Sequence, residues 1–98
     1  MICAAEVPIT FGGAARYNIA NVMAAVAAGV ALGITIPVIR EALRTFGRSA
    51  DDNPGRANLI EVGGARVLMD YAHNPHGMAA LVGIAQSIPA QRRLLMLG

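Results

Sequence analysis

No lysine occurs in these 98 residues, so all eight basic side chains are arginine. That absence excludes a phosphate-loop lysine, a Schiff-base lysine and a carbamylated lysine as catalytic groups. Tryptophan is missing too, and there are only two tyrosines and two phenylalanines. Basic charge clusters nowhere beyond Arg92-Arg93 and no aromatics are interleaved with it, so a nucleic-acid surface has no support. The single Cys3 cannot form an internal disulfide and gives no sign of secretion. No basic segment precedes an apolar core at the amino terminus, as a signal peptide would require, and a cytoplasmic setting is expected. Charge is scarce as well: 14% of residues are charged, 55% are hydrophobic and the net charge is +2. A chain so apolar does not read as a disordered tail. Because a domain of this length buries only about two thirds of its unfolded surface, part of the apolar surface is expected to belong against something outside the chain.

What is present divides into two halves. Val7-Pro8-Ile9-Thr10-Phe11 predicts a short edge strand closed by Gly12-Gly13. From Arg16 to Leu32, Ile19, Val22, Met23, Val26 and Val30 recur at spacings of three and four, one stripe of an amphipathic helix with an alanine-rich opposite face. Residues 19 to 39 have the length and lack of charge of a membrane span. Asn21, Thr35 and Pro37 interrupt them, however, and Gly33 to Pro37 reads as a break between helices, so no membrane association is expected. A second helix follows from Ile36 to Phe46, with Thr35 as its cap, Pro37 in its first turn and Gly47 at its end. The segment from Arg48 to Asn58 is rich in Ser, Asp, Asn, Pro and Gly and reads as a linker, with a domain boundary near residue 50. Beyond it, Leu59–Val62 and Arg66–Asp70 flank Gly63-Gly64, a loop suited to an antiparallel hairpin. Asn74 at the N-cap and Pro75 at the first helical position start a helix to Ser87, and Leu94–Leu97 reads as a further strand. Strand, helix and strand in that order predict a right-handed parallel crossover. The fold class is therefore α/β: a helical pair in residues 1–50, then a hairpin and the βαβ unit of a Rossmann-like domain in residues 51–98. One crossover leaves a sheet face uncovered, so a fragment of a longer protein is expected.

Asp70 closes the second strand where a loop begins. In an open α/β sheet ligands sit beyond the carboxyl ends of the strands, and a carboxylate there can accept two hydroxyl hydrogen bonds, as a ribose offers. It can equally cap a turn, and position alone leaves both open. The stretch Asp70-Tyr71-Ala72-His73-Asn74-Pro75 resembles the signature of the Mur ligase superfamily, the ATP-dependent amide ligases. Two other stretches share the likeness. Asn18-Ile19-Ala20-Asn21, after Arg16-Tyr17, is similar to the family's Asn-x-x-Asn helix opening, although the family usually has His where Tyr17 stands. Asn53-Pro54-Gly55-Arg56 resembles its Pro-Gly-Arg linker. The stretch from Val7 to Ile19 looks most like the ligase half of cyanophycin synthetases and related proteins. Peptidoglycan-precursor ligases share the Asp-Tyr-Ala-His segment, and folate polyglutamylating ligases the Asn-Pro.

The resemblance implies that Asn18 and Asn21 lie near an adenine, that Arg56 reaches nucleotide phosphates, and that Asp70 holds ribose hydroxyls with His73 and Asn74 lining the same loop. Residue chemistry allows each role, since an amide can donate to and accept from a purine edge and a guanidinium forks onto phosphate oxygens. The plainer readings are that Asn18 caps its helix and Arg56 is a solvated loop residue. Asp70, His73 and His76 at spacings of three and three could mimic a metal cluster, but a strand end, a loop and a helix start do not bring them to one point. The resemblance further implies a parent enzyme that uses ATP and magnesium to form an acyl phosphate, which an amino-acid or peptide amine attacks. This stretch has no Gly-x-x-x-x-Gly-Lys-Ser/Thr loop, so by itself it is expected to be inactive, with the magnesium ligands elsewhere and the remainder of the ligase domains as partners. A free-standing α/β interaction module that self-associates is the alternative.

Overall fold

The computed structural model describes residues 1–98. Thr10 gives the amino-terminal segment its shape. It is fully buried, with its hydroxyl 2.6 Å from the Ala4 carbonyl and 2.8 Å from that of Val7, while the Gly13 N–H donates to it at 3.2 Å. These local bonds compete with strand pairing. The expected edge strand is therefore absent, and two short 3-10 turns, Ala4–Glu6 and Pro8–Thr10, stand in its place.

Helix α1 spans Arg16–Ala31 and α2 spans Ile36–Thr45. They are separated by a turn with Gly33 at φ 79°, and no helix is long and apolar enough to cross a membrane. Gly29 is the contact point between them, since a Cβ there would lie 3.2 Å from Ile39 Cδ1. The cap expected from Thr35 does not form: its backbone is extended, but its side chain accepts no hydrogen bond. Gly47 follows the end of α2 at φ 85° and lies so close to Ile9 that any added methyl would collide with it.

Strands β1 (Asn58–Val62) and β2 (Ala65–Met69) pair antiparallel, with Leu59 opposite Leu68 and Val62 opposite Ala65. Gly63 and Gly64, at φ 56° and 80°, supply the two left-handed residues of such a tight loop. Helix α3 spans Pro75–Ser87, and Asn74 caps it by accepting from the Gly77 N–H at 2.8 Å. The mixed α/β character expected of the chain is present. Its third strand is not: the sheet has two strands, and Leu94 and Met96 are 82% and 95% exposed. Arg93 instead donates to the carbonyls of Ala85 (3.1 Å) and Ile88 (2.8 Å), and Arg66 donates to that of Pro89. The Arg93 bonds anchor the chain to the end of α3 and the Arg66 bond ties Pro89 to β2, and without a ladder partner Leu94–Leu97 remains irregular.

A cluster of Ala15, Ala57 and Ile84, flanked by Phe11, Tyr17, Leu68 and Ile88, joins the two halves. Only seven of the 98 residues are buried, so the apolar stripes of α1 and α2 remain largely open.

Candidate functional site

The linker positions the site. Asn58 clamps it: its Oδ1 accepts the Gly55 N–H at 2.6 Å and its Nδ2 donates to the Asn53 carbonyl at 3.0 Å. Asn53-Pro54-Gly55-Arg56 is thus folded into a turn that presents Arg56 outward, exposed. The end of β2 then meets this turn through two bonds. Asp70 Oδ2 accepts the Ala57 N–H at 2.8 Å, and the Tyr71 N–H donates to the Gly55 carbonyl at 2.9 Å. The Pro-Gly-Arg turn and the Asp70 loop are therefore adjacent. Ala57 takes φ 49° to make this contact.

Tyr17 lies at the same junction. Its phenol is raised above its ordinary value of 10.0, first by burial and second by the negative charge of Asp70, with the positive charge of Arg56 opposing. Both motif residues therefore act on one hydroxyl.

A cavity of about 180 Å³ opens between the linker, the amino-terminal turn and α1, and its lining includes Asn18, Arg48, Asn53, Arg56 and Asn58. Asn18 and Arg56 thus share a wall, but Asn21, Asp70, His73 and Asn74 do not line this cavity. Asn18 is the third residue of α1, whose N-cap is Ala15, so it does not cap the helix. Its amide donates to the Ile9 carbonyl at 2.7 Å and accepts from Asn21 Nδ2 at 3.4 Å. His73 is exposed, with Nδ1 3.1 Å from the Tyr71 carbonyl and its ring 5.6 Å from that of Tyr71. Asn74 is committed to capping α3. No group of three or more His, Cys, Asp and Glu side chains could hold a metal ion, so Asp70, His73 and His76 do not converge.

Residues 55–98 match the sequence profile described as Mur ligase, glutamate ligase domain. Over 89 residues, 91% of this chain, it is 44% identical to a cyanophycin synthetase of Crocosphaera subtropica. The chain is a relative of the Mur ligases. A cyanophycin synthetase of Synechocystis is 43% identical over 86 residues, 88% of the chain. A UDP-N-acetylmuramate–L-alanine ligase of Laribacter hongkongensis is 35% identical over 92 residues, 91% of the chain and 19% of that protein. The chain spans about a tenth of the length of the cyanophycin synthetases it matches. The junction also holds Tyr17, Arg48 and Asn58, three residues that the motifs did not mark as site residues. Tyr17 becomes relevant only when the linker folds against α1, whereas Asn58 acts within the linker itself.

Proposed function

We propose that this stretch is the joint of an ATP-dependent carboxylate–amine ligase, with the end of a central ATPase domain before residue 50 and the start of the carboxyl-terminal ligase domain after it. The start of the profile match at residue 55 supports that boundary. The observation that carries the reading is the pair of bonds from the Asp70 loop to the Pro-Gly-Arg turn. Through them, two motifs separated in sequence come together beside one helix start. In this reading Asp70 holds the ribose hydroxyls through its second carboxylate oxygen, Arg56 meets the phosphates, and the Asn18–Asn21 turn lies on the adenine side. His73 and Asn74 shape the loop.

ATP would supply the phosphoryl group that converts the substrate carboxylate to an acyl phosphate with release of ADP, and an amino-acid or peptide amine would then attack the acyl carbon and release inorganic phosphate. These residues bind and orient the nucleotide. This stretch has no Gly-x-x-x-x-Gly-Lys-Ser/Thr loop to cradle phosphates, and in this reading the cradle and the magnesium ligands belong to the rest of the enzyme. The stretch by itself is accordingly inactive, and its setting is the cytoplasm. The apolar groove of about 410 Å³ between the amino terminus, α1 and α2 is covered by the remaining ligase domains.

The test is steady-state kinetics of the full-length ligase with Asp70→Ala, varying ATP and amine separately. A charged hydrogen bond contributes about 1.5–3 kcal/mol, so the Michaelis constant for ATP should rise roughly ten- to a hundredfold. That for the amine should hold. An unchanged constant for ATP would reduce Asp70 to a turn cap and remove the site.

A further inference from the structure

The cavity beneath the linker has an electrostatic character that the motifs do not account for. Arg48 and Arg56 both line it, together with Asn18, Ser49, Asn53 and Asn58, and none of its 13 lining residues is acidic. Two arginines therefore line one small space with no acidic residue in its walls. Neither is used up by the fold. Arg48 engages only Nε, donating to the Arg44 carbonyl at 2.8 Å, which leaves its terminal nitrogens free. Arg56 makes no side-chain hydrogen bond within the chain, since it is exposed on its clamped turn.

The loop bearing Arg48 is also fixed in place. Asp52 Oδ2 accepts the N–H of Gly47 at 2.9 Å and that of Ser49 at 3.3 Å, the residues on either side of Arg48. The carboxylate thus shapes the Arg48 turn from outside the lining, as Asn58 shapes the Arg56 turn. Arginines on fixed turns, with no acidic residue among the cavity's lining, suit a phosphate oxyanion, because guanidinium donors match its oxygens bidentately. Size narrows the ligand. At about 180 Å³ the cavity is below the roughly 300–1,000 Å³ of sites that enclose drug-sized molecules. It admits a phosphate or diphosphate group and leaves a nucleoside outside.

We propose that the Arg48–Arg56 cavity is a phosphate-binding site, with Arg48 as a second arginine that holds the phosphate chain of the nucleotide beside Arg56. Assigning the anion to a nucleotide rests on the function proposed above; the anion site itself does not.

The experiment is a titration of the 98-residue chain with inorganic pyrophosphate, ATP and adenosine, followed by NMR of the arginine Nε–H groups and the backbone amides. Pyrophosphate and ATP should shift Arg48, Arg56 and Ser49 saturably at millimolar concentrations. Adenosine should leave those three unmoved. Because both arginines are exposed and screened, Arg48→Gln should weaken pyrophosphate and ATP by about three- to tenfold, and Arg48→Lys should restore only part of the loss. Absence of saturable shifts with pyrophosphate, or an Arg48→Gln chain that binds as tightly as the wild type, overturns the site. If pyrophosphate binds and is sensitive to Arg48 while ATP binds no better and moves nothing in Asp70–Asn74, the anion site stands and the nucleotide reading fails.

Discussion

At the scale of single residues, the junction turns on Tyr17. Burial and the Asp70 charge both favour its protonated form. Below pH 10 the folded and unfolded chains alike hold the phenolic proton. Above it the unfolded chain releases the proton first, so the native state binds more protons and stability must fall as pH rises toward the folded value. Thermal unfolding followed from about pH 8 to 11 should show the midpoint dropping above pH 10, with a shallower drop in Tyr17→Phe. Equal slopes in the two proteins would mean that folding does not raise the pKa of the Tyr17 hydroxyl. Arg56 and Asp70 were legible in the sequence because each belongs to a short contiguous motif. Tyr17 was not, since Arg56 and Asp70 reach it from tens of residues away in the chain, and Arg48 was not, since no motif contains it. The likeness to Mur ligases directed attention to the asparagines of α1, yet Asn18 is bonded to Ile9 and serves first to hold the amino-terminal turn on the helix.

Among elements, those whose hydrogen bonds close within a few residues were readable in advance. The two glycines specified the hairpin, and Asn74-Pro75 specified the start of α3. Asn74 reads both as a loop-lining residue and as a cap, and its bond to Gly77 makes it the cap of α3. Asn74→Ala should therefore cost about 1 kcal/mol of stability, read as a lower urea midpoint with an unchanged slope, and Asn74→Asp should retain most of it. A stability loss under a few tenths of a kcal/mol would mean the cap contributes little. Elements that need a distant partner were misjudged. Val7–Phe11 has alternation enough for a strand, but the buried Thr10 hydroxyl satisfies nearby carbonyls and coils the segment. Leu94–Leu97 has strand composition, but no neighbouring strand pairs with it here.

For the molecule as a whole, a radius of gyration of 14.6 Å and extents of 45 × 28 × 21 Å describe an elongated body. A chain of this length packed as an ordinary domain has a radius near 13 Å. The small junction cluster is the place where both halves share buried contacts, so local opening should be cheap away from it. Native-state hydrogen exchange should find its slowest amides around Ala57 and Ile84 and its fastest in residues 94–98. The second half of α1, where Met23, Val30 and Leu32 are exposed, should exchange faster than the α3 amides near Ile84. Uniform protection along α1 and α3 would show that stability is spread evenly instead of being concentrated at the junction.

The left-handed Ala57 gives this junction a mechanical property. An alanine held at φ 49° resists that conformation by about 1–2 kcal/mol, and the Asp70 carboxylate is the latch that keeps it there. Arg56 is the very next residue up the chain. Removal of the Asp70 carboxylate releases the latch, and the recoil passes into the peptide that carries the guanidinium. The carboxylate and the arginine thus work as two ends of one sprung lever, and substitutions at the two positions should fail to add.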